Sequence, residues 1–129
     1  MAPLIYLDTH VAAWLFAGKT DPLPPRVRAR IEENDLLISP AAVLELQYLY
    51  EIERVAEPAQ VVLDALGPEI GLKVCDLPFP RVAEAASGLG WTRDPFDRFI
   101  VAQAMVRGAP LLTKDRVIHD HYPQAVWAD

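Results

Sequence analysis

Five acidic side chains lie at the ends of predicted strands or in the helices beside them: Asp8, Glu45, Asp94, Asp97 and Asp115. If they converge on one crevice they repel one another, since two unit charges about 4 Å apart cost about 4 kcal/mol at an effective dielectric constant of about 20. A divalent cation removes this penalty. The donors are all oxygen atoms and no cysteine cluster is present, which favours Mg²⁺ or Mn²⁺ over zinc.

Glu45 is the least expected of these acids. In a helical segment it shares a face with its three- and four-apart neighbours Ala41, Ala42, Tyr48 and Leu49. A lone carboxylate on an apolar face is costly to bury unless it is paired, protonated or bound to a metal. The alternative is a glutamate at the rim of the core that reaches water through its flexible stem.

The acids at 94 and 97 open a helix. Asp94 is a good N-cap and Pro95 a good first helical residue, which places Asp97 in the first turn, where backbone N–H groups are free. The apolar pattern continues to Arg107, and Gly108 is the predicted stop. Capping alone could explain this acidic pair, so the prediction of a site depends on the other acids meeting it.

The elements that position these residues alternate between strand and helix. Short apolar runs predict strands over residues 3–7, 36–38, 72–75, 110–113 and 125–127. Helical patterns begin at Thr9, after the Pro-rich connection 22–25, at Ser39-Pro40, at Glu57-Pro58 with a stop at Gly67-Pro68, and at Pro80. We therefore predict an α/β fold, a single α/β/α domain over residues 1–129 with a central, mainly parallel sheet of four to five short strands. The carboxyl ends of such strands border the functional crevice.

Composition narrows the class of protein. The 129 residues, 52% hydrophobic and 23% charged, suit one globular domain with a substantial core. The net charge of -6 argues against nucleic-acid binding through a large basic surface, but it does not exclude an enzyme that acts on nucleic acid. The single Cys75 is expected to be a small buried thiol. With no basic leader and no apolar run of roughly 20 residues, we expect a soluble cytoplasmic protein without a membrane partner.

The chemistry that best suits an acidic Mg²⁺ site is phosphodiester hydrolysis, in which the cation positions the phosphate, activates water and stabilises the leaving oxygen. No Walker loop or dinucleotide-binding glycine pattern competes with this prediction. His119 and His121 have the spacing of one strand face, but we expect surface histidines there rather than a site.

Four segments together carry a resemblance to a known family: Leu7-Asp8-Thr9-His10, Leu44-Glu45-Leu46, Asp94-Pro95-Phe96-Asp97-Arg98 and Thr113-Lys114-Asp115. Their order and spacing resemble PIN-domain ribonucleases, especially VapC-type toxins of bacterial toxin–antitoxin pairs. The resemblance implies an endoribonuclease that uses Mg²⁺ or Mn²⁺, and a type II toxin. It also implies a small antitoxin partner whose tail occupies the acidic groove, and a homodimer.

The resemblance assigns roles residue by residue. Asp8, Glu45, Asp97 and Asp115 match the acidic quartet that holds the metal ion, and Asp94 is an additional acid. Either Asp94 or Asp97 could be the direct ligand, and Asp97 aligns better with the family position. Thr113 matches a hydroxyl position that orients water or a carboxylate.

For the partner surface, exposed apolar residues such as Leu46, Tyr48 and Tyr50 are candidates, although core packing is the commoner use of such residues.

Two other functions remain open from the sequence. A phosphoacceptor domain of the receiver type also combines an acidic Mg²⁺ pocket with a parallel sheet. Receiver domains, however, resemble one another in an adjacent acidic pair after the first strand, whereas here Thr9 and His10 follow Asp8. The third possibility is a non-catalytic binding module in which the acids are only helix caps and rim charges.

Overall fold

A computed structural model describes residues 3–128. Within these residues one sheet contains five strands, β1 (Leu4–Leu7), β2 (Asp35–Ile38), β3 (Lys73–Val74), β4 (Leu111–Leu112) and β5 (Ala125–Val126). The strand order is β3-β2-β1-β4-β5 and every pairing is parallel. The predicted α/β class with a mainly parallel sheet is confirmed, and the sheet is in fact parallel throughout.

The helices of the described residues are α1 (Thr9–Phe16), α2 (Pro25–Glu33), α3 (Pro40–Glu51), α4 (Ala59–Ile70), α5 (Phe79–Ser87), α6 (Pro95–Arg107) and α7 (Arg116–His121). The consecutive β1 residues Ile5, Tyr6 and Leu7 are all at most 1% exposed, although alternate side chains of a strand point to opposite faces. Both faces of the sheet are therefore covered. No helix within residues 3–128 is long and apolar enough to cross a membrane.

The centre of the sheet brings three strand ends together. Leu7 at the end of β1 pairs in register with Ile38 of β2 on one side and with Leu112 of β4 on the other. The chain runs outward from β1 in one direction to β3, and then crosses back to place β4 on the other side of β1. The gap between β1 and β4 is thus the point at which the strand order reverses, where ligands bind in sheets of this kind.

Helix starts follow the local signals of the sequence. The side chains of Asp8, Ser39, Asp94 and Asp115 are N-caps that accept hydrogen bonds from backbone N–H groups in the first turn of the next helix. Three of these four caps are carboxylates at the carboxyl edge of the sheet. The same residues that begin the helices therefore also line the predicted crevice.

The predicted end of α4 at Gly67-Pro68 is wrong. The helix continues through Pro68 to Ile70 and ends at Gly71, whose φ of 72° is in the left-handed region and whose N–H donates to the carbonyl of Gly67. Proline lacks only its own N–H, so a last turn can tolerate it when packing continues the helix. Ile70 packs against the core here.

The strand-like spacing of His119 and His121 is also misleading, because both residues lie in helix α7. Asp115 caps this helix, and Ile118 and Tyr122, four residues apart, anchor it in the core at 0% and 6% exposure.

Another correction concerns Leu46. It was predicted as an exposed apolar residue but is 0% exposed, since it faces the core from α3. The predicted buried thiol of Cys75 is confirmed, and it lies 3.0 Å from the hydroxyl of Tyr6.

Candidate metal centre

Asp8 lies at the middle of the carboxyl edge, held in one orientation through both carboxylate oxygens. The backbone N–H of Thr9 donates to Oδ1 at 2.7 Å, and the hydroxyl of Thr113 donates to Oδ2 at 2.5 Å. Asp8 is 4% exposed and Thr113 is 0% exposed. The backbone N–H of Asp8 also donates to the carbonyl of Leu112 at 3.0 Å, so the end of β1 is tied to the end of β4.

Thr113 connects Asp8 to Asp115. While its hydroxyl donates to Asp8, the Thr113 oxygen accepts the backbone N–H of Asp115 at 3.0 Å. Oδ1 of Asp115 accepts from the N–H groups of Val117 and Ile118 at 2.8 and 3.2 Å. The second carboxylate is therefore fixed at the start of α7, next to the end of β4.

Glu45 reaches the same crevice from α3. The hydroxyl of Thr9 donates to its Oε1, which links the glutamate to the residue directly after Asp8. Burial raises the pKa of Glu45 above its usual range, the hydrogen bond from Thr9 opposes this, and the negative charges of Asp8 and Asp94 add to it. Glu45 thus lies within electrostatic range of two other acids of the crevice, as the sequence predicts.

Asp94 and Asp97 enter from the start of α6. Oδ1 of Asp94 accepts from the N–H groups of Phe96 and Asp97 at 2.8 and 3.4 Å, so Asp94 is the N-cap predicted from the sequence. Asp97 is half-buried and faces the other acids. Burial, followed by the charges of Asp94, Asp8, Asp115 and Glu45, raises the pKa of Asp97 to about 7.

The five acids therefore form one electrostatic cluster at the carboxyl edge. A carboxyl group with a pKa near 7 marks a position where negative charge is poorly compensated by the protein itself. In the part of the chain that the structure describes, no three His, Cys, Asp or Glu side chains are arranged so that they could hold a metal ion together. The oxygen-only donors and their mutual repulsion suit a hard cation such as Mg²⁺, which keeps several of its own water ligands and uses few carboxylates.

The model of the PIN domain family matches residues 5–122, which include most of β1, strands β2 to β4 and all seven helices, but not β5. The chain belongs to the PIN domain family. This membership favours the nuclease prediction over the receiver-like alternative. The match also includes all five acids of the cluster and Thr113.

Relatives and solved structures resemble this PIN domain over nearly its whole length. Ribonuclease VapC22 of Mycobacterium tuberculosis is 33% identical over 131 residues, which cover 95% of this chain and 98% of the relative. VapBC2 from Rickettsia felis, bound to a DNA fragment from its promoter, matches with a TM-score of 0.68 at 20% identity, over 97% of this chain and 99% of that one. DNA-bound VapBC from Salmonella typhimurium matches with a TM-score of 0.65 at 23% identity, over 96% and 95% of the two chains. The two solved structures support the fold.

Two residues of the candidate site, Thr9 and His10, belong to one of the segments that carry the family resemblance, but no role in the site was predicted for them. Thr9 holds Glu45 through its hydroxyl and Asp8 through its N–H, and it is 3% exposed. His10 lies with Nδ1 3.6 Å from Oδ2 of Asp8. The signal was their position directly after Asp8 at the start of α1, where a first-turn residue must lie close to the end of its strand.

An apolar groove of about 410 Å³ runs beside the acidic cluster of the PIN domain, between α3, α5 and α6. Leu44 and Phe79 line it and are 62% and 67% exposed, and Phe79 stacks on Phe99 at a ring distance of 5.2 Å. Gln103 also lines the groove. Its Oε1 is buried and has no hydrogen-bond partner among the described residues.

Proposed function

We propose that the chain is a metal-dependent endoribonuclease that hydrolyses RNA phosphodiester bonds, and that it is the toxin of a type II toxin–antitoxin pair. The observation that carries the proposal is the convergence of five carboxylates on the gap between β1 and β4. Burial, followed by the charges of the other four acids, raises the pKa of Asp97 there to about 7. Similarity to a relative named a ribonuclease supports the reaction class. We also propose that residues 1–129 form a single domain.

The proposed ligands of the cation are Asp8, Glu45, Asp97 and Asp115, with Asp94 as an additional charge. A bound Mg²⁺ or Mn²⁺ supplies the positive charge that draws the RNA phosphate to an otherwise repulsive site and polarises a water molecule.

The neighbouring hydroxyl groups set the directions of these carboxylates. Thr113 fixes one oxygen of Asp8, and Thr9 fixes one oxygen of Glu45, so neither side chain needs to reorganise when the substrate arrives.

The test is cleavage of a structured RNA by purified protein, with Mg²⁺, with Mn²⁺ and with excess chelator. We expect cleavage with either cation and none with chelator. Asp8→Asn should abolish cleavage while it leaves the thermal melt cooperative. Asp64→Asn is the matched control, since Asp64 is an exposed acid on α4, and it should cleave like the wild type. Equal cleavage by Asp8→Asn, or undiminished cleavage in chelator, would overturn the proposal.

The proposed partner is a small antitoxin that covers the acidic crevice. Solved structures with the same fold are VapBC complexes, which supports a protein partner of this kind. A short reading frame next to the gene is expected, and co-expression of its product should suppress cleavage. If no such frame is present, the toxin assignment fails while the nuclease assignment stands.

The homodimer stays a prediction. With Leu46 in the core, the exposed apolar candidates are Tyr48, Tyr50, Leu44 and Phe79, at 49%, 39%, 62% and 67% exposure. Sedimentation equilibrium measures the state directly. A protein that remains monomeric at high concentration would remove this part of the proposal.

A further inference from the structure

Three aromatic rings from two separate segments meet beside the acidic cluster. The ring centroids of His10 and Trp14, both on α1, are 5.0 Å apart, and Trp127 lies 6.0 Å from Trp14 and 6.2 Å from His10. Trp127 directly follows β5, so it lies at the same carboxyl edge of the sheet as Asp8 and Thr113. We call His10, Trp14 and Trp127 the aromatic cluster.

The aromatic cluster is joined to the acidic cluster by His10. The backbone N–H of Lys114 donates to Nε2 of His10 at 3.2 Å, which leaves the ring proton on Nδ1. That nitrogen lies 3.6 Å from Oδ2 of Asp8. The cluster is therefore held one side chain away from the central carboxylate, because His10 lies in α1 and contacts both Asp8 and the backbone of the segment between β4 and α7.

The positively charged side chain of Lys114 lies beside the rings. Nζ of Lys114 lies 5.9 Å from the centroid of the Trp14 ring, within the range of a cation–π contact, and Lys114 is exposed. In a chain with a net charge of -6, this lysine places a positive charge directly next to the acidic crevice. A positive charge beside an aromatic surface is what binds the phosphates and bases of a single strand.

The two tryptophans of the cluster are partly exposed, and their planes lie 47° apart rather than parallel. A second ring pair in the chain differs in this respect. Trp91 and His121 are stacked with planes 5° apart and centroids 4.7 Å apart, so each already covers a face of the other. Within the described residues, Trp91 therefore offers an internal comparison for a tryptophan that is already stacked.

We propose that the aromatic cluster is a nucleobase-binding subsite: a base of single-stranded RNA stacks on Trp14 and Trp127, and Lys114 contacts the adjacent phosphate. The inference rests on the proposed ribonuclease function. Stacking uses the π face that every base has and needs no basic surface, so it explains how an acidic protein can hold RNA. The subsite would place the scissile phosphate next to Asp8.

Binding without cleavage tests the subsite. The probe is a short, fluorescently labelled single-stranded RNA with cleavage-resistant linkages, and its Kd is measured by anisotropy in saturating Mg²⁺. Trp14→Leu and Trp127→Leu should each weaken binding about 5- to 150-fold, the change expected for the loss of one base stack. Lys114→Gln should weaken binding and reduce its dependence on salt. Trp91→Leu is the matched control and should bind like the wild type.

A second probe separates stacking from a merely structural role of the tryptophans. Abasic RNA of the same length keeps the phosphates but lacks the bases. The wild type should bind it more weakly than intact RNA, whereas Trp14→Leu should bind both RNAs alike, because the partner of the base is gone. Trp14→Phe keeps an aromatic face and should recover part of the preference for intact RNA.

The outcomes distinguish this inference from the proposed function. Equal binding of intact and abasic RNA by the wild type overturns the subsite, as does equal weakening by Trp91→Leu and Trp14→Leu. If the wild type still cleaves RNA with Mg²⁺ in those cases, the nuclease proposal stands. A wild type that neither binds nor cleaves RNA overturns both.

Discussion

The hydroxyl group of Thr113 donates a 2.5 Å hydrogen bond to Oδ2 of Asp8, although 105 positions separate the two residues along the chain. The bond connects the residues that follow β1 and β4, the two neighbouring strands at which the strand order of the sheet reverses. Both side chains are buried, so the bond is shielded from water. This hydrogen bond therefore ties the ends of the two central strands together and also orients the carboxylate of Asp8.

The first prediction follows from this contact. Thr113→Val keeps the shape of the side chain but removes the donor to Asp8 and the acceptor for the N–H of Asp115. We expect the free energy of unfolding to fall by about 2 kcal/mol, because a buried charged acceptor and a backbone donor lose a partner. Cleavage should fall by about 10- to 100-fold, the usual effect of freeing a metal-binding side chain from its support.

Thr113→Ser is the matched control, since it retains the hydroxyl group. It should restore most of the activity while it lowers stability only through the lost methyl group. Urea denaturation and a cleavage time course measure the two effects. Equal activity of the valine and serine variants would mean that the hydroxyl group has no part in orienting Asp8.

The second prediction concerns pH. Burial and the neighbouring acids raise the pKa of Asp97 to about 7 in the folded protein, whereas an unfolded aspartate has its ordinary value near 3.8. Between these values the folded state binds more protons than the unfolded state, so the contribution of Asp97 to stability falls as pH rises from about 4 to about 7. Above this window both states are deprotonated and the contribution is constant.

Melts of metal-free protein across this window test the sign. The difference in stability between wild type and Asp97→Asn should change in favour of the variant as pH rises, and it should level off above about pH 7. Added Mg²⁺ should stabilise the wild type more at pH 8 than at pH 5, because protons compete with the cation for Asp97. A pH-independent difference between the two proteins would contradict the raised pKa.

Local signals in the sequence predicted the helix starts well. N-capping at Asp94 needs only the residue itself and the next turn of chain, so a short stretch of sequence contains all the necessary information. The same holds for Ser39 and for Gly108, which ends α6 with a φ of 64°. Where a helix end depended on distant packing, as at Pro68, the local signal failed.

The sequence predicted a set of acids for the site but not the hydrogen bonds that connect them to their neighbours. Glu45 and Thr9 are 36 positions apart, and their hydrogen bond depends on how α3 packs beside α1. The aromatic cluster is less predictable still, because Trp127 reaches α1 only through the position of β5 at the edge of the sheet. Pairings of this kind arise from strand order, which the sequence pattern does not specify.

The third prediction concerns Gln103 in the apolar groove. Its buried Oε1 lacks a hydrogen-bond partner among the described residues, an arrangement that destabilises the folded state. Gln103→Met keeps the length of the side chain and removes the polar atoms. We expect the variant to be more stable by about 1 kcal/mol, or about 4 °C in Tm, with RNA cleavage unchanged. Gln47→Met is the control, since the Gln47 oxygen accepts the N–H of Ala59 and its loss should destabilise.

The fourth prediction concerns Glu45, because a variant of this residue distinguishes a metal site from a group of acids that only cap helices. Glu45→Gln retains an oxygen that accepts from Thr9 but removes one negative charge from the cluster. Metal-free protein at neutral pH should therefore be no less stable than the wild type, because repulsion with Asp8 and Asp94 is relieved. Had Glu45 been needed to balance a buried arginine, the same change would lower stability even without metal.

With Mg²⁺ the order should reverse. A roughly tenfold loss of Mg²⁺ affinity reduces the stabilisation by saturating cation by about 1.4 kcal/mol, so the Mg²⁺-dependent rise in Tm should be smaller for Glu45→Gln by about 5 °C. Cleavage should fall in parallel. Glu51→Gln on the same helix is the control, since Glu51 is exposed and, among the described residues, its carboxylate accepts one hydrogen bond, from Gln47 at 3.3 Å. If Glu45→Gln and Glu51→Gln show the same rise in Tm and the same cleavage, Glu45 is not a ligand, and Asp8, Asp97 and Asp115 must hold the cation without it.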